Sequence, residues 1–400
     1  MKQIMQAMLL LLLCVSTPVW AIKTVTVGEL EDMMRTMHQQ NKPDAEVANA
    51  LKQVQLSEEL TVASMNELVA YVPGRLTTEQ VYVLEARSAD LAPPPADLPK
   101  DPAPDGSAQK AILTKAANYV TSMYESLPAL SVTKTTLRFQ DNVEALAANS
   151  GLAGGVTDVV TTSSFNNASS FVHFINSTEA TVSSDHGTEK PTADKDKTLW
   201  GANRMIALKE RDPSLSVVFQ QAQSSGTLQF SRWELVNGKK VAVFAFSISK
   251  KKAHLPINVC CFPDVAEAGI ARFYSATTAS VMGGSGGGGG VVGNMQTSTN
   301  WHPFKSAVPF HGLLYIEPAT GIIVRMITEP ELKQSDVVHQ VDTRVDYGPV
   351  QVGKSTFIVP VKTYINTLVV PNGDSQNGTY TTRCTLFTSE YKNYQVASGK

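Results

Sequence analysis

Hydrophobic positions between residues 24 and 91 recur with the period of a helix. Leu30, Met33, Met34 and Met37 stand at i, i+3, i+4 and i+7, which is one helical face. Thr26-Val27-Gly28-Glu29 precedes them as a capping box, a Thr side chain and a Glu three residues on that satisfy each other's backbone donors. Pro43-Asp44 opens a second helix bearing Val47, Leu51 and Val54. Ser64-Met65-Asn66-Glu67 precedes Leu68, and Thr77-Thr78-Glu79-Gln80 precedes Val81 and Leu84, as two further boxes. The pattern predicts a small helical domain over 22–91. Its Met-rich stripe reads as helix-packing core, with a partner-binding groove as the alternative.

Ala92 to Gly106 (APPPADLPKDPAPDG) is proline-dense and cannot continue a helix. It predicts an extended spacer and a domain boundary over 92–106. Ser107 then caps a helix reaching Tyr124, with Ile112, Ala116, Tyr119 and Met123 on one side.

Beyond that helix the period shortens to two, with β-branched and aromatic residues broken by turn residues. Strands are expected over Val132–Phe139, Phe171–Ile175 and Ala180–Ser183, and a short helix from Asp212-Pro213 to Gly226. Leu228–Leu235 and Val241–Ile248 flank Asn237-Gly238, the dipeptide of a type I′ hairpin. Further strands are expected over Leu255–Phe262, Gly312–Ile316, Ile322–Thr328, Val337–Tyr347, Thr356–Ile365 and Thr381–Tyr391. Consecutive strands joined by short turns, without a βαβ rhythm, imply one antiparallel meander over 107–395. A glycine-rich loop interrupts it over 275–300.

The 400 residues carry a formal charge of −2, with 42% hydrophobic and 18% charged residues. This excludes a disordered polyanion and a basic nucleic-acid binder. Residues 1–21 fit a secretory signal peptide. Lys2 is followed by an apolar run from Met8 to Val15 and by Val19-Trp20-Ala21 as a cleavage site. The expected address is the periplasm or the exterior, with outer-membrane association as a variant, and no transmembrane segment remains after cleavage. Disulfides persist there, so Cys260, Cys261 and Cys384 are bridge candidates. Adjacent strand residues point to opposite faces, so one of Cys260 and Cys261 would pair with Cys384, closing a loop worth about 4–5 kcal/mol in chain entropy. Three free thiols are the alternative.

Two motif matches fail on context. Gly348 to Ser355 fits the phosphate-loop pattern, but a strand follows it instead of a helix, so a hairpin is expected. Gly283-Gly284-Ser285-Gly286-Gly287 fits the nucleophile-elbow pattern, but a glycine run supplies neither the strand nor the helix that the elbow needs. The seven histidines show no metal-ligand or triad spacing. No catalytic residue, metal or cofactor is therefore assigned. Phe139, Phe230, Trp233, Phe244, Phe246 and Tyr315 are the candidate ligand-binding residues, because aromatics interleaved with strands can line an apolar pocket. The same residues could equally form core.

The stretches LPALSVTKTTLRFQD (Leu127–Asp141), GTLQFSRWELVNGKKVAVFAFSI (Gly226–Ile248), FHGLLYIEPATGIIVRM (Phe310–Met326) and VDYGPVQVGKSTFIVPVKTY (Val345–Tyr364) follow one another after a helix. This order resembles uncharacterised exported bacterial proteins and, distantly, the lipoprotein-carrier superfamily (LolA/LolB-like). The hairpin Tyr315–Arg325 is similar to that superfamily's strand, turn and strand with an acidic residue, a glycine and a basic residue. The resemblance implies an incomplete barrel with helices against its hollow, and a hollow that takes acyl chains.

The expected fold class is thus α+β: a small helical domain, then a curved antiparallel half-barrel packed against helices. The expected function is an exported non-enzymatic module that binds a hydrophobic ligand, a lipid or a lipidated partner. A protein partner would dock through the N-terminal helices, and no nucleic acid is involved. An envelope structural or interaction protein and a secreted hydrolase are the alternatives.

Overall fold

A computed structural model describes residues 23–141, 172–185, 187–190, 208–209, 213–253, 257–263, 301–333, 336, 338–369 and 383–397. Residues 1–21, read above as a signal peptide, the elbow-like glycine run and the expected loop 275–300 lie outside the described residues.

The N-terminal module contains four helices, α1 (Val27–Gln39), α2 (Asp44–Leu51), α3 (Val62–Leu68) and α4 (Arg75–Ser88). It also contains a short parallel pair, β1 (Lys23–Val25) with β2 (Val54–Leu56), that helical periodicity did not signal. The Thr26–Glu29 box closes reciprocally: Glu29 N donates to Thr26 Oγ1 at 3.2 Å and Thr26 N to Glu29 Oε2 at 2.9 Å. The other two caps move. Thr61, not Ser64, caps α3. For α4, Asp44 reaches over from α2 and accepts from Leu76 N at 3.0 Å and Thr77 N at 2.9 Å. A cap supplied by another helix leaves no local spacing to read. Leu30 and Met34 are fully buried, with Met33 and Met37 packed against the same core.

The linker does not stand clear as a spacer. Trp233 Nε1 donates to Pro102 O at 2.8 Å, and Lys240 pairs with Asp101 at 3.2 Å. Asp105, rather than Ser107, caps α5 (Gly106–Ser126), accepting from Ala108 N at 2.8 Å.

The rest is an open antiparallel half-barrel packed against helices. Its strands are β3 (Leu130–Asp141), β4 (Val172–Asp185), β5 (Thr188–Glu189), β7 (Thr227–Val236), β8 (Lys239–Ile248), β11 (Phe310–Ile316), β12 (Ile323–Pro330), β13 (Val338–Val352), β14 (Ser355–Val369) and β15 (Arg383–Val396). The order across the sheet is β5-β4-β3-β15-β14-β13-β12-β11-β8-β7, so the last strand pairs with the first long one. Three strands depart from a single meander. β6 (Leu208–Lys209), β9 (Ile257–Pro263) and β10 (Trp301–Ser306) form a separate sheet. They leave the main sheet because β8 and β11 pair directly from Ile248↔Phe310 onward, closing the gap they would have filled.

The Asn237-Gly238 turn has both residues at positive φ, 50° and 74°, as a type I′ turn requires. The phosphate-loop match is the β13–β14 hairpin, turning at Gly353 with φ 63°. Helix α6 (Leu215–Ser225) has Ser214 in its N-cap position, two residues after the expected Asp212, and Ser214 makes no side-chain cap bond there.

One face of the sheet, here the inner face, carries α5 and α6. Ile112, Ala116 and Val120 of α5 and Val218, Phe219 and Ala222 of α6 pack on Phe244, Phe246, Leu314 and Met326. The β11–β12 turn fits closely under α5. Gly321 has φ +80°, and a Cβ there would lie 2.4 Å from Lys115 C and 2.5 Å from Lys115 O. Lys115 Nζ also donates to Pro318 O at 3.1 Å. Gly321→Ala is therefore expected to cost at least about 1–3 kcal/mol, through left-handed strain and the clash together. Urea denaturation checks this; a loss below about 0.5 kcal/mol would contradict the seating.

Candidate functional site

Strand alternation assigns the sequence candidates to different places. Phe244 pairs with Leu314 and Phe246 with Gly312, on the inner face. Phe230 and Trp233 pack against the same inner cluster, with Phe230 edge-on to Phe244 at 5.9 Å. Tyr315 points the other way and packs with Val241, Val243 and Ile327 on the outer face. Phe139 is also on the outer face, under Val83, Ala86 and Ala89 at the C-terminal end of the N-terminal module. Phe139, Phe244, Phe246 and Tyr315 are at most 2% exposed. The six residues thus fall in three clusters on two faces and do not line one cavity.

An apolar cleft does exist on the inner face, beyond the C-terminal end of α5. Its apolar lining is Leu127, Leu130, Val132, Val182, Val345, Tyr347, Val359, Tyr391 and Tyr394, with Pro213 from just before α6, and Ser184 and Glu189 are its polar members. The centre of a water molecule can move through about 40 Å³ of it. Most of the residues come from β3, β4, β13, β14 and β15, so only the long-range pairing of β15 with β3 assembles them. Lys134 sits at its rim, paired with Glu189 at 2.9 Å and lying over the Tyr391 ring at 5.3 Å.

The outer face holds the feature that sequence reasoning missed. Arg325, Arg344 and Asp346 share this face with Tyr315, because Arg325 pairs in register with both Tyr315 and Asp346. Asp346 accepts from Arg325 Nε at 2.7 Å, from Arg344 Nε at 3.0 Å and from Arg344 Nη2 at 2.8 Å. Glu59, arriving from the N-terminal module, accepts from Arg325 Nη1 at 3.1 Å and from Arg344 Nη1 at 2.5 Å. Arg344 Nη1 also donates to Ala89 O at 3.0 Å. Glu234 pairs with Arg232 at 2.8 Å, and Glu85 of α4 accepts from Lys362 Nζ and Tyr364 OH, both at 2.7 Å. Glu59, Glu85, Glu234 and Asp346 thus face Arg232, Arg325, Arg344 and Lys362. The network closes charge against charge and clamps the helical module to the sheet.

The charge states follow from this packing. Burial opposes ionisation of Asp346, but the two guanidiniums outweigh it and hold its carboxyl well below the usual range. Burial also opposes the Arg344 charge, and Asp346 and Glu59 more than restore it. Burial pushes the Tyr315 hydroxyl up to about 12. Beside the network, Asp90 at the end of the helical module shares a hydrogen bond with Asp342 of β13. Burial, with Asp90 and Glu329 adding, pushes Asp342 up to about 7.

Of the cysteines, Cys384 is partly buried, with Sγ 3.5 Å from Asn366 Oδ1. The side chains of Cys260 and Cys261 lie outside the described residues, and so does any bridge through them. Among the described residues no helix is long and apolar enough to cross a membrane.

No protein-family model matches the chain, and no curated protein matches it. A solved structure, the MucA/MucB complex of Pseudomonas aeruginosa, aligns at 8% identity over 72% of this chain and 99% of that chain, with a TM-score of 0.19. A likeness that loose carries no argument about fold or function.

Proposed function

We propose that the chain is an exported, non-enzymatic binding module whose inner sheet face receives an apolar ligand, the acyl chain of a lipid or of a lipidated partner. The apolar cleft beyond α5 is the observation that carries this reading. Most of the inner face is sealed, by α5 and α6 at one end and by Ile257 and Val259 of the small sheet at the other. The cleft beside the helices is mostly apolar and lined in part by tyrosines, which suits a methylene chain better than a plate-like cofactor. An open sheet with α5 and α6 against its inner face is also the architecture that the resemblance to the lipoprotein carriers implies. The export signal read in residues 1–21 would place the module in the cell envelope.

Titration of the mature protein with the neutral fluorophore N-phenyl-1-naphthylamine tests the reading. Binding is expected, and Val132→Phe, which fills the cleft, is expected to weaken it at least about tenfold while costing about 1–3 kcal/mol of stability through overpacking. Absence of binding in the wild-type protein, or binding unaltered in a folded Val132→Phe variant, would contradict it.

A further inference from the structure

The inner face changes character past the cleft. In register across four strands lie Thr363 of β14, Ser389 of β15, Thr136 of β3 and Thr178 of β4. The next row but one brings Thr367 opposite Thr385 and Thr385 opposite Gln140. Between these hydroxyl rows, in register with Phe387, stands Arg138. Arg138 is half-buried, and its Nη1 donates to Asn176 Oδ1 at 3.3 Å and to Thr178 Oγ1 at 2.7 Å. No carboxylate pairs with it among the described residues. This sets it apart from Arg232, Arg325 and Arg344, each held by at least one acid within 3.1 Å.

A guanidinium withdrawn from water without a counter-charge is costly, and a site that tolerates one is built to gain an anion. Burial depresses its pKa. The surroundings supply donors. The Oγ1 atoms of Thr367 and Thr385 are buried and make no hydrogen bond among the described residues, although neither residue is more than 0% exposed. Arg138 turns its Nη1 towards β4, and Thr385 and Thr367 stand one row on, on β15 and β14 at the other side of β3; donating hydroxyls and a fork-shaped cation on one sheet face are the chemistry that binds a carboxylate or phosphate oxygen.

We propose that Arg138 and the flanking hydroxyl rows form an anion site, and that the ligand of the inner face is an anionic amphiphile, its chain in the cleft and its carboxylate or phosphate head at Arg138. The inference rests on the apolar-ligand reading above and adds the charge of the head group. Val132 in the cleft and Arg138 lie six residues apart on the same face of β3, about 20 Å at the rise of a strand.

Displacement of N-phenyl-1-naphthylamine from the mature protein at pH 8 by dodecanoate, dodecyl phosphate and dodecanol tests it. The expected result is that at least one of the two anions binds about tenfold or more tightly than dodecanol. Which anion leads identifies the head group as carboxylate or phosphate. Arg138→Gln is expected to bring anion and alcohol within about twofold of each other with dodecanol affinity held, and Arg138→Lys to restore part of the gap. Dodecanol binding as tightly as both anions in the wild-type protein would overturn the anion site and leave the apolar cleft standing. Failure of all three to displace the fluorophore would overturn both. The wild-type comparison decides the matter even if Arg138→Gln does not fold.

Discussion

Glu59→Ala is expected to destabilise the protein by about 3–5 kcal/mol, the cost of stranding buried charges. Glu59 is 3% exposed and accepts from both Arg325 and Arg344. Removing it leaves two buried guanidiniums sharing Asp346, with Glu234 a further 3.8 Å partner of Arg325 only. Against a total stability of about 5–15 kcal/mol for a typical domain, the loss is large. The network joins the helical module to the sheet, so the variant should also loosen that joint. Limited proteolysis is expected to cut within residues 92–105 well before the wild-type protein is cut. Urea denaturation measures the energy; a loss below about 1 kcal/mol, with the linker still protected, would contradict the clamp. Replacing Glu59, Arg325, Arg344 and Asp346 together by apolar residues of similar volume could be far milder, because it removes the desolvation cost along with the pairing.

Stability is expected to fall as pH rises from about 4 to about 7. Asp342 has its carboxyl raised to about 7 in the folded chain, and Asp90, its hydrogen-bond partner, is raised as well. Across that window the folded state binds more protons than the unfolded state, so the slope of stability against pH is negative. The favourable contribution is fully present below the unfolded carboxylate range and is lost as pH passes the folded value. Burial is the main cause, and the charged groups facing the pair are Glu59 and Arg344 towards Asp90 and Glu329 towards Asp342. Gln340 opposes the shift by donating to Asp342. Glu234, raised by burial, acts in the same direction. Asp346 acts in the opposite direction, but its contribution is lost only as pH falls below the usual carboxylate range. Asp342→Asn carries the neutral form permanently. It should flatten the slope and make the variant the more stable protein at pH 8. Thermal unfolding at pH 5 and pH 8 checks this; an unaltered slope would contradict the shared proton as its source.

Local chemistry was legible at several places where one stretch of chain decides the structure, although the helix starts at Thr61, Asp105 and Ser214 lie two or three residues from the expected ones. The Thr26–Glu29 box, the Asn237-Gly238 hairpin and the Gly353 turn need only their neighbours, and each stands where the spacing put it. The sheet was legible as antiparallel because its strands alternate and its turns are short. Features decided by distant residues were not. Asp44 caps α4 from another helix, β15 closes beside β3, and β9 and β10 leave for a second sheet. The six aromatic candidates carried no information on which face they would occupy, because a strand buried on both faces offers apolar residues to each. Arg344 and Asp346, two apart on β13, did leave a trace: charges in phase on one face of an otherwise apolar strand. That pattern marks a buried ion network only when a partner such as Glu59 is known to cover the face.

Location of the ligand is the most direct measurement. Stearate carrying a nitroxide on its chain, added to methyl-labelled mature protein, would broaden the NMR signals of nearby valines. Broadening of Val132, Val182 and Val359, with Val83 and Val241 of the outer face left sharp, is the expected result. Broadening confined to outer-face valines, or none at all, would contradict an inner-face binding site.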